Sequence, residues 1–283
     1  MRVSRYLTQR IAFSLILAAS LSVVIPLVLV IVYIVVQGIG ALNWEFVFAA
    51  PRNGMREGGI FPALVGTVWL TIGTALASIP LGVGAAVYLA EYATDNWFTR
   101  TIRLAIINLA GVPSVVYGLF GLGLFVIFLR FGMSIVAGSL TLGLMTLPVI
   151  ISTTEQALRA VPQSFRVVNA SLGGTTWQGI RKVILPQALP GIMTGVILGL
   201  ERAAGETAPI LFTVAAFFLP RLPHSIFDQT MALPYHLFVI STQVPGMPIK
   251  IQYGTALVLM VFVLTMNVGA TVIRRHYRRR RQW

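Results

Sequence analysis

Cysteine is absent from these 283 residues, and charge is scarce: Asp, Glu, Lys and Arg together make up only 10%. Without cysteine there is no disulfide, no thiol nucleophile and no thiolate metal site. Lysine occurs only at Lys182 and Lys250, and neither follows a glycine. The chain therefore has no G-x-x-x-x-G-K-[ST] loop with which to hydrolyse a nucleotide. His224, His236 and His276 lie in loops or the tail without metal-ligand spacing and read as packing or surface residues. Neither a metal site nor a catalytic residue is expected. Gly118, Gly121 and Gly123 imitate a nucleotide loop, but they stand inside an apolar run, where glycine serves close helix packing.

Most of the chain is apolar. Hydrophobic residues make up 57% of it and the mean hydropathy is +0.85. A soluble domain carries about 25% charge, so this is an all-α, multi-pass membrane protein. Runs long enough to cross a hydrocarbon layer of about 30 Å recur along the chain. The expected spans are Ile11–Val36, Ile60–Ala90, Leu104–Leu129 with Pro113 inside, Ser134–Thr153, a long one from Gln187 towards Pro220, and Ile251–Ile273. The first is too long for the apolar core of a cleaved signal, about 7–15 residues. Residues 1–10 and 274–283 form short ends, with 11–273 as the membrane domain. Residues 221–250 hold Pro223, Pro234, Pro245 and Pro248 around an apolar piece at Tyr235–Ile240, which reads as a partly re-entrant outer loop.

Six spans place both termini on one side. That side receives fifteen of the 21 basic residues, among them Arg2, Arg5, Arg10 and six arginines of the tail, while the other side receives five. Basic residues favour the cytoplasm, so the termini and the polar run 154–186 are expected there. The net charge of +13 thus follows from orientation. The arginine tail reads as an anchor to anionic lipid, with no nucleic acid as partner.

Two neighbouring stretches stand out. The run 154–186 is the one long polar segment between spans. It is expected to form helices at Thr154–Val161, Gln163–Leu172 and Thr175–Val183, with a turn at Gly173-Gly174 and re-entry at Pro186 and Pro190. Phe165, Val167, Val168, Leu172, Trp177 and Ile180 are too many apolar residues for an idle loop and call for a partner surface. In the fifth span, Gly191, Gly195, Gly199 and Ala203 repeat every four residues, a ridge for a close helix neighbour. Arg202 and Glu206 share a face beside it, Glu201 points elsewhere, and Gly205 with Pro209 marks a break. Charge at bilayer depth costs several kcal/mol. Arg202 and Glu206 neutralise each other, and the planar fork of Arg202 suits a bidentate oxyanion.

At these residues the chain resembles the permease subunits of bacterial ATP-driven importers, which dock on their ATPase through an E-A-A-x-x-x-G…I-x-L-P loop. LGGTTWQGIRKVILP, Leu172–Pro186, matches the Gly and L-P end. Aligned on Gly173, the E-A-A positions hold Val167, Val168 and Asn169, so the acidic residue is missing, and Glu155 does not fill that register. The blocks at 58–93, 110–126 and 147–166, together with ERAAGETAPILFT at 201–213, resemble the phosphate-specific permeases of the PstA type.

The resemblance implies a six-span type I ABC importer permease in the bacterial inner membrane. It would form the phosphate pathway with a second, homologous permease. Two ATP-binding subunits carrying the ATP and Mg, and an extracytoplasmic phosphate-binding protein, would complete the assembly. No cofactor would be bound by this chain. Arg202 and Glu206 correspond to the arginine and glutamate implicated in transport, with Glu201 beside them. Val167, Val168, Leu172, Gly173, Gly174, Trp177 and Pro186 would form the ATPase-docking face. The alternatives are an importer for another oxyanion or small solute, an ion-coupled carrier using Glu206 as a proton relay and, most remotely, a membrane enzyme.

Overall fold

The computed structural model describes the backbone of residues 5–279 and the side chains of residues 6–275. Of the expected basic ends, Arg2, Arg280 and Arg281 lie outside the described residues, as do the side chains of Arg5, Arg278 and Arg279. Among the described residues, five helices are long and apolar enough to cross a membrane, and six spans result if one sharply bent pair counts as a single span.

The first helix, α1 (Arg5–Gly38), is apolar all round and exposed along almost its whole length. It packs chiefly on the last helix, α12 (Ile249–Arg279), where Tyr33 meets Tyr253 edge-on at 5.3 Å between ring centroids. Gly38 permits the contact, since a Cβ there would stand 2.5 Å from the Tyr253 carbonyl oxygen. The polar loop that follows contains a short helix, α2 (Trp44–Phe48), and a two-residue hairpin, β1 (Pro51–Arg52) with β2 (Glu57–Gly58).

The centre of the fold is a stack of three helices. These are α3 (Phe61–Val87, continuing as a π-helical turn over Tyr88–Tyr92), α6 (Ile135–Arg159) and α9 (Leu185–Gly205). Small residues set the spacing. A Cβ on Gly73 would stand 2.2 Å from Ser139 Oγ, and one on Gly195 would stand 1.7 Å from Thr153 Oγ1. The expected ridge at Gly191, Gly195 and Gly199 is therefore real, and its partner is α6, through Ala157, Thr153 and Ile150. Close approach by small residues is a common way for membrane helices to associate.

The third span differs from expectation. It is two helices, α4 (Trp97–Ala110) and α5 (Ser114–Gly121, continuing as a π-helical turn over Leu122–Phe128), meeting at 103°. Pro113 at the joint is extended and disfavours helix at Val112, so the chain turns there. Gly118 and Gly121 do serve packing, against Phe212 and Thr141, while Gly123 faces open space.

The polar run 154–186 also differs. Helix α6 does not stop at Thr153; it continues to Arg159, and no separate helix occupies Thr154–Val161. Thr154 and Leu158 are fully buried, so packing carries the helix beyond its apolar letters. Thr153 does not interrupt it, because its hydroxyl donates back to the Val149 carbonyl at 2.6 Å. After α7 (Gln163–Ser171), a short α8 (Thr176–Gly179) runs through a π-helical turn (Ile180–Ile184) into α9. The continuous helical run thus begins at Thr176, eleven residues before Gln187. Pro186 does not end the run; it stands just after the π-helical turn, where the regular i→i−4 ladder is already interrupted.

On the opposite side, α9 gives way to α10 (Ala208–Thr213), and residues 214–232 fold over the end of α6. The carbonyls of Thr213, Asp228 and Ile226 accept from the amides of Ser134, Ile135 and Val136, donors that a helix start leaves unpaired. The apolar piece becomes α11 (Leu233–Thr242), whose start is held where Leu233 N donates to Thr67 Oγ1 at 2.8 Å. It is half the length of a span and buried on one face, as a re-entrant segment would be.

Candidate functional site

The break in α9 builds the intramembrane site. The helix ends at Gly205, and Glu206 is extended (φ −77°, ψ 138°) before α10 begins with Pro209 in its first turn. Arg202 occupies the last turn of α9, where a cation favours the helix's negative end. Its Nε lies 3.3 Å from Glu206 Oε1. The expected pairing holds, although Glu206 stands just beyond the helix. The pair is loose, with one short contact and with Arg202 39% and Glu206 19% exposed along their side chains.

Glu206 faces a narrow cavity with Thr67 and Thr71 of α3, Ala204, and Pro234 of α11. Its volume is about 10 Å³, room for one water at most. Glu201 lies on another face of α9. Its Oε1 is buried and has no hydrogen-bond partner among the described residues.

The polar hairpin is built differently. Gly173 adopts φ +71°, the left-handed conformation that lets α7 turn into α8. Gly174 leaves room for Asn169, whose side-chain amide donates to the Thr175 carbonyl at 3.2 Å. Thr175 and Gln178 form a reciprocal capping box at the start of α8. The resulting hairpin exposes Val167, Val168, Trp177 and, at 83%, Leu172. Phe165 and Ile180 do not belong to that face. Ile180 is buried in this chain's own core, and Phe165 packs against the same cluster. Pro186 is half-buried at the root of α9.

Two long-range ion pairs near the polar run have no signature in the sequence. Arg166 of α7 grips Glu91 in the π-helical turn of α3, Nη2 to Oε1 at 2.7 Å and Nε to Oε2 at 3.2 Å. Glu155 of α6 accepts from Arg103 of α4 at 2.9 Å and from Arg159 at 2.9 Å. The partners lie 75 and 52 residues apart in the longer-range pairs, beyond any local spacing rule.

A multi-span helical body, small residues at its helix seams, a charged pair at a helix break and an unpartnered apolar hairpin together define a membrane permease component. Residues 78–283 match the family described as binding-protein-dependent transport system inner membrane component. The chain belongs to that family and is a multi-pass inner-membrane permease component of an ABC importer, not its ATPase. Membership implies a partner permease and ATPase subunits.

Among similar proteins, the probable ABC transporter permease protein YqgI of Bacillus subtilis is 34% identical over 95% of each chain. The phosphate transport system permease protein PstA of Mycobacterium leprae is 34% identical over 96% of this chain and 90% of that protein. The PstA of Xylella fastidiosa is 32% identical over 84% of this chain and 82% of its own length. An inward-facing structure of the MetNI methionine ABC transporter matches with a TM-score of 0.62 at 17% identity, over 75% of this chain and 93% of that one. That likeness concerns the fold.

Proposed function

We propose that this chain is one of two permease subunits of an ATP-driven phosphate importer. Arg202 would contact the passing phosphate, and Glu206 would be its resting counter-ion. The observation that supports this most is the loose Arg202–Glu206 contact at the break of α9. An empty pathway needs its arginine neutralised, yet a pathway must also release what it binds. A pair with one 3.3 Å contact is easily exchanged for a bidentate oxyanion. The cavity beside Glu206 is too small for phosphate as it stands, so passage requires the surrounding helices to move. The PstA relatives support phosphate as the solute.

The hairpin face of Val167, Val168, Leu172 and Trp177, with Gly173 and Gly174 shaping its turn, would dock on an ATP-binding subunit. ATP and Mg would be held there. A second permease, a second ATP-binding subunit and an extracytoplasmic phosphate-binding protein complete the assembly, with both termini cytoplasmic. A reporter fused within residues 173–176 would then read cytoplasmic, and one within residues 52–58 external.

The direct test is to purify the assembled complex and reconstitute it with its binding protein in proteoliposomes. Phosphate should stimulate ATP hydrolysis and be taken up with it, and sulfate or molybdate should not. Uptake of another oxyanion in place of phosphate would overturn the substrate. Uptake without any ATPase subunit would overturn the mechanism.

A further inference from the structure

The docking hairpin has to be joined to the helices that line the pathway, and covalent continuity supplies only part of that joint. Helix α8 runs into α9 directly. Helix α7, which carries Val167, Val168 and Leu172, is only nine residues long and has no buried residue. It is held by Phe165, on the edge of the cytoplasmic core cluster, and by Arg166.

Arg166 uses its whole fork. Two nitrogens bind both oxygens of Glu91, at 2.7 and 3.2 Å. Nη1 donates to the Val161 carbonyl at 2.8 Å, and Nη2 also donates to the Leu158 carbonyl at 3.0 Å. Leu158 is in the last turn of α6 and Val161 stands just beyond its end, where the helix's negative pole favours a cation. Glu91 is only 6% exposed and Arg166 21%. One guanidinium therefore ties three elements together: the docking helix α7, the end of α6 and the π-helical end of α3. A second guanidinium steadies the same turn, since Arg103 donates to the Leu89 carbonyl at 2.9 Å. From this turn α3 runs back through the bilayer to Thr67 and Thr71, which line the cavity beside Glu206.

We infer that the Arg166–Glu91 clamp is the latch through which movement of the docking hairpin is passed to α3 and α6, and so to the Arg202–Glu206 region. The inference rests on the importer reading above. A mere fold staple would not need these groups, because apolar residues hold buried surfaces together at least as well as a buried ion pair. A rigid, four-bonded fork differs in fixing direction: α7 cannot rotate or slide against α3 without breaking charged hydrogen bonds. Lysine at position 166 would keep the charge and lose this geometry. Position alone does not establish coupling, so the test must read coupling itself.

The absence of cysteine from the chain provides a reporter. Thr71→Cys would line the cavity, and its labelling by a small soluble maleimide reads access to the pathway whatever solute is carried. In the assembled complex, ATP should change the labelling rate of Thr71→Cys when residue 166 is Arg. With Arg166→Lys or Glu91→Gln added, ATP hydrolysis should continue while the ATP-dependent change shrinks about two- to thirtyfold. The double variant Arg166→Met/Glu91→Leu, which restores apolar packing without the fork, should also stay uncoupled.

The latch is overturned if any of these assembled variants keeps its ATP-dependent change within about twofold of the parent. It is overturned too if all three fail to assemble, since the clamp would then serve folding. If the parent switches access with ATP but takes up no phosphate, the substrate reading fails and the latch stands.

Discussion

The two charged regions of this molecule obey opposite rules. In the bilayer, Arg202 and Glu206 meet through one contact of 3.3 Å and stay partly exposed. At the foot of the polar hairpin, Arg166 and Glu91 make a two-point contact as short as 2.7 Å, and each is more buried than its counterpart in the first pair. If both pairs were only charge neutralisation, the tighter one would be expected in the lower dielectric of the membrane, where an unpaired charge is costliest. The reverse is found. A pair that must yield to a solute has to be weakly held, and a pair that must pass on a displacement has to be stiff. On the reading proposed above, the contrast separates a site suited to exchange from one suited to transmission.

The strongest way to break the comparison is Arg202→Gln. It removes the cation from the helix-break pair while leaving the Arg166–Glu91 and Arg103–Glu155 pairs intact. With no cation to meet the oxyanion, phosphate uptake should fall by about a hundredfold or more. Assembly and basal ATP hydrolysis should persist. Arg202→Lys should also impair uptake, because the planar fork is lost. If an assembled Arg202→Gln complex took up phosphate like the parent, the loose pair would be structural and the contrast empty.

The next largest effect is expected at the other region. Gly173 sits at φ +71°, where a β-branched residue is strained by roughly 1–2 kcal/mol. Nothing crowds the position, so the backbone alone decides the outcome. Gly173→Val should tilt α7 against α8 and lower phosphate taken up per ATP hydrolysed by about tenfold, with membrane insertion unchanged. Normal coupling in that variant would show that the hairpin shape does not matter for docking.

How much of this was legible in the sequence follows from the range of the interactions. The ridge at Gly191, Gly195 and Gly199 was legible, because a period of four within one helix is a local signal, and it finds α6 as its neighbour. The break between Arg202 and Pro209 was legible for the same reason. The exposed face of the docking hairpin was only partly so. The sequence shows six apolar residues, but not that Phe165 and Ile180 turn inward. The 103° joint between α4 and α5 was hidden because Pro113 within an apolar run suits a kink as well as a turn. The Arg166–Glu91 clamp was invisible. Its partners stand 75 residues apart, and only the packing of α3 on α6 brings them together.

That packing can be tested at a smaller scale. A Cβ on Gly195 would stand 1.7 Å from Thr153 Oγ1, whereas one on Gly123 would meet nothing within 4 Å. Both glycines lie in apolar spans, so they differ in neighbours rather than in environment. Gly195→Ala should push α9 off α6 and lower stability by about 1–3 kcal/mol, as overpacking does. Gly123→Ala should be neutral or slightly stabilising, since helix interiors disfavour glycine. Thermal unfolding of the purified complex in detergent compares them. Equal stabilities would mean that the close seam does not hold the stack that joins the two charged regions.

The smallest effect belongs to a third carboxylate, at the end of the fold opposite the Arg166–Glu91 pair. Asp228 Oδ2 accepts from the amides of His224 at 2.9 Å and Ser225 at 3.3 Å, with Arg221 at 3.6 Å. The His224 amide foremost, helped by the Ser225 amide and the Arg221 charge, holds its pKa below the ordinary carboxylate value, against an opposing effect of burial second only to that of His224. Because the folded pKa is lowered, its contribution to loop order is complete above the unfolded value of about 3.9. It fades as pH falls through the folded value. The Asp228 carbonyl also caps α6 through the Ile135 amide, so the loop tip and the helix start share this residue. Asp228→Asn should speed hydrogen exchange at the His224 and Ser225 amides at neutral pH, and the parent should come to match it only in acid. Uptake should stay within about twofold of the parent, because Asp228 touches neither charged region. A large loss of uptake would mean that the outer loop gates the pathway and that the two-region division leaves out a third working part.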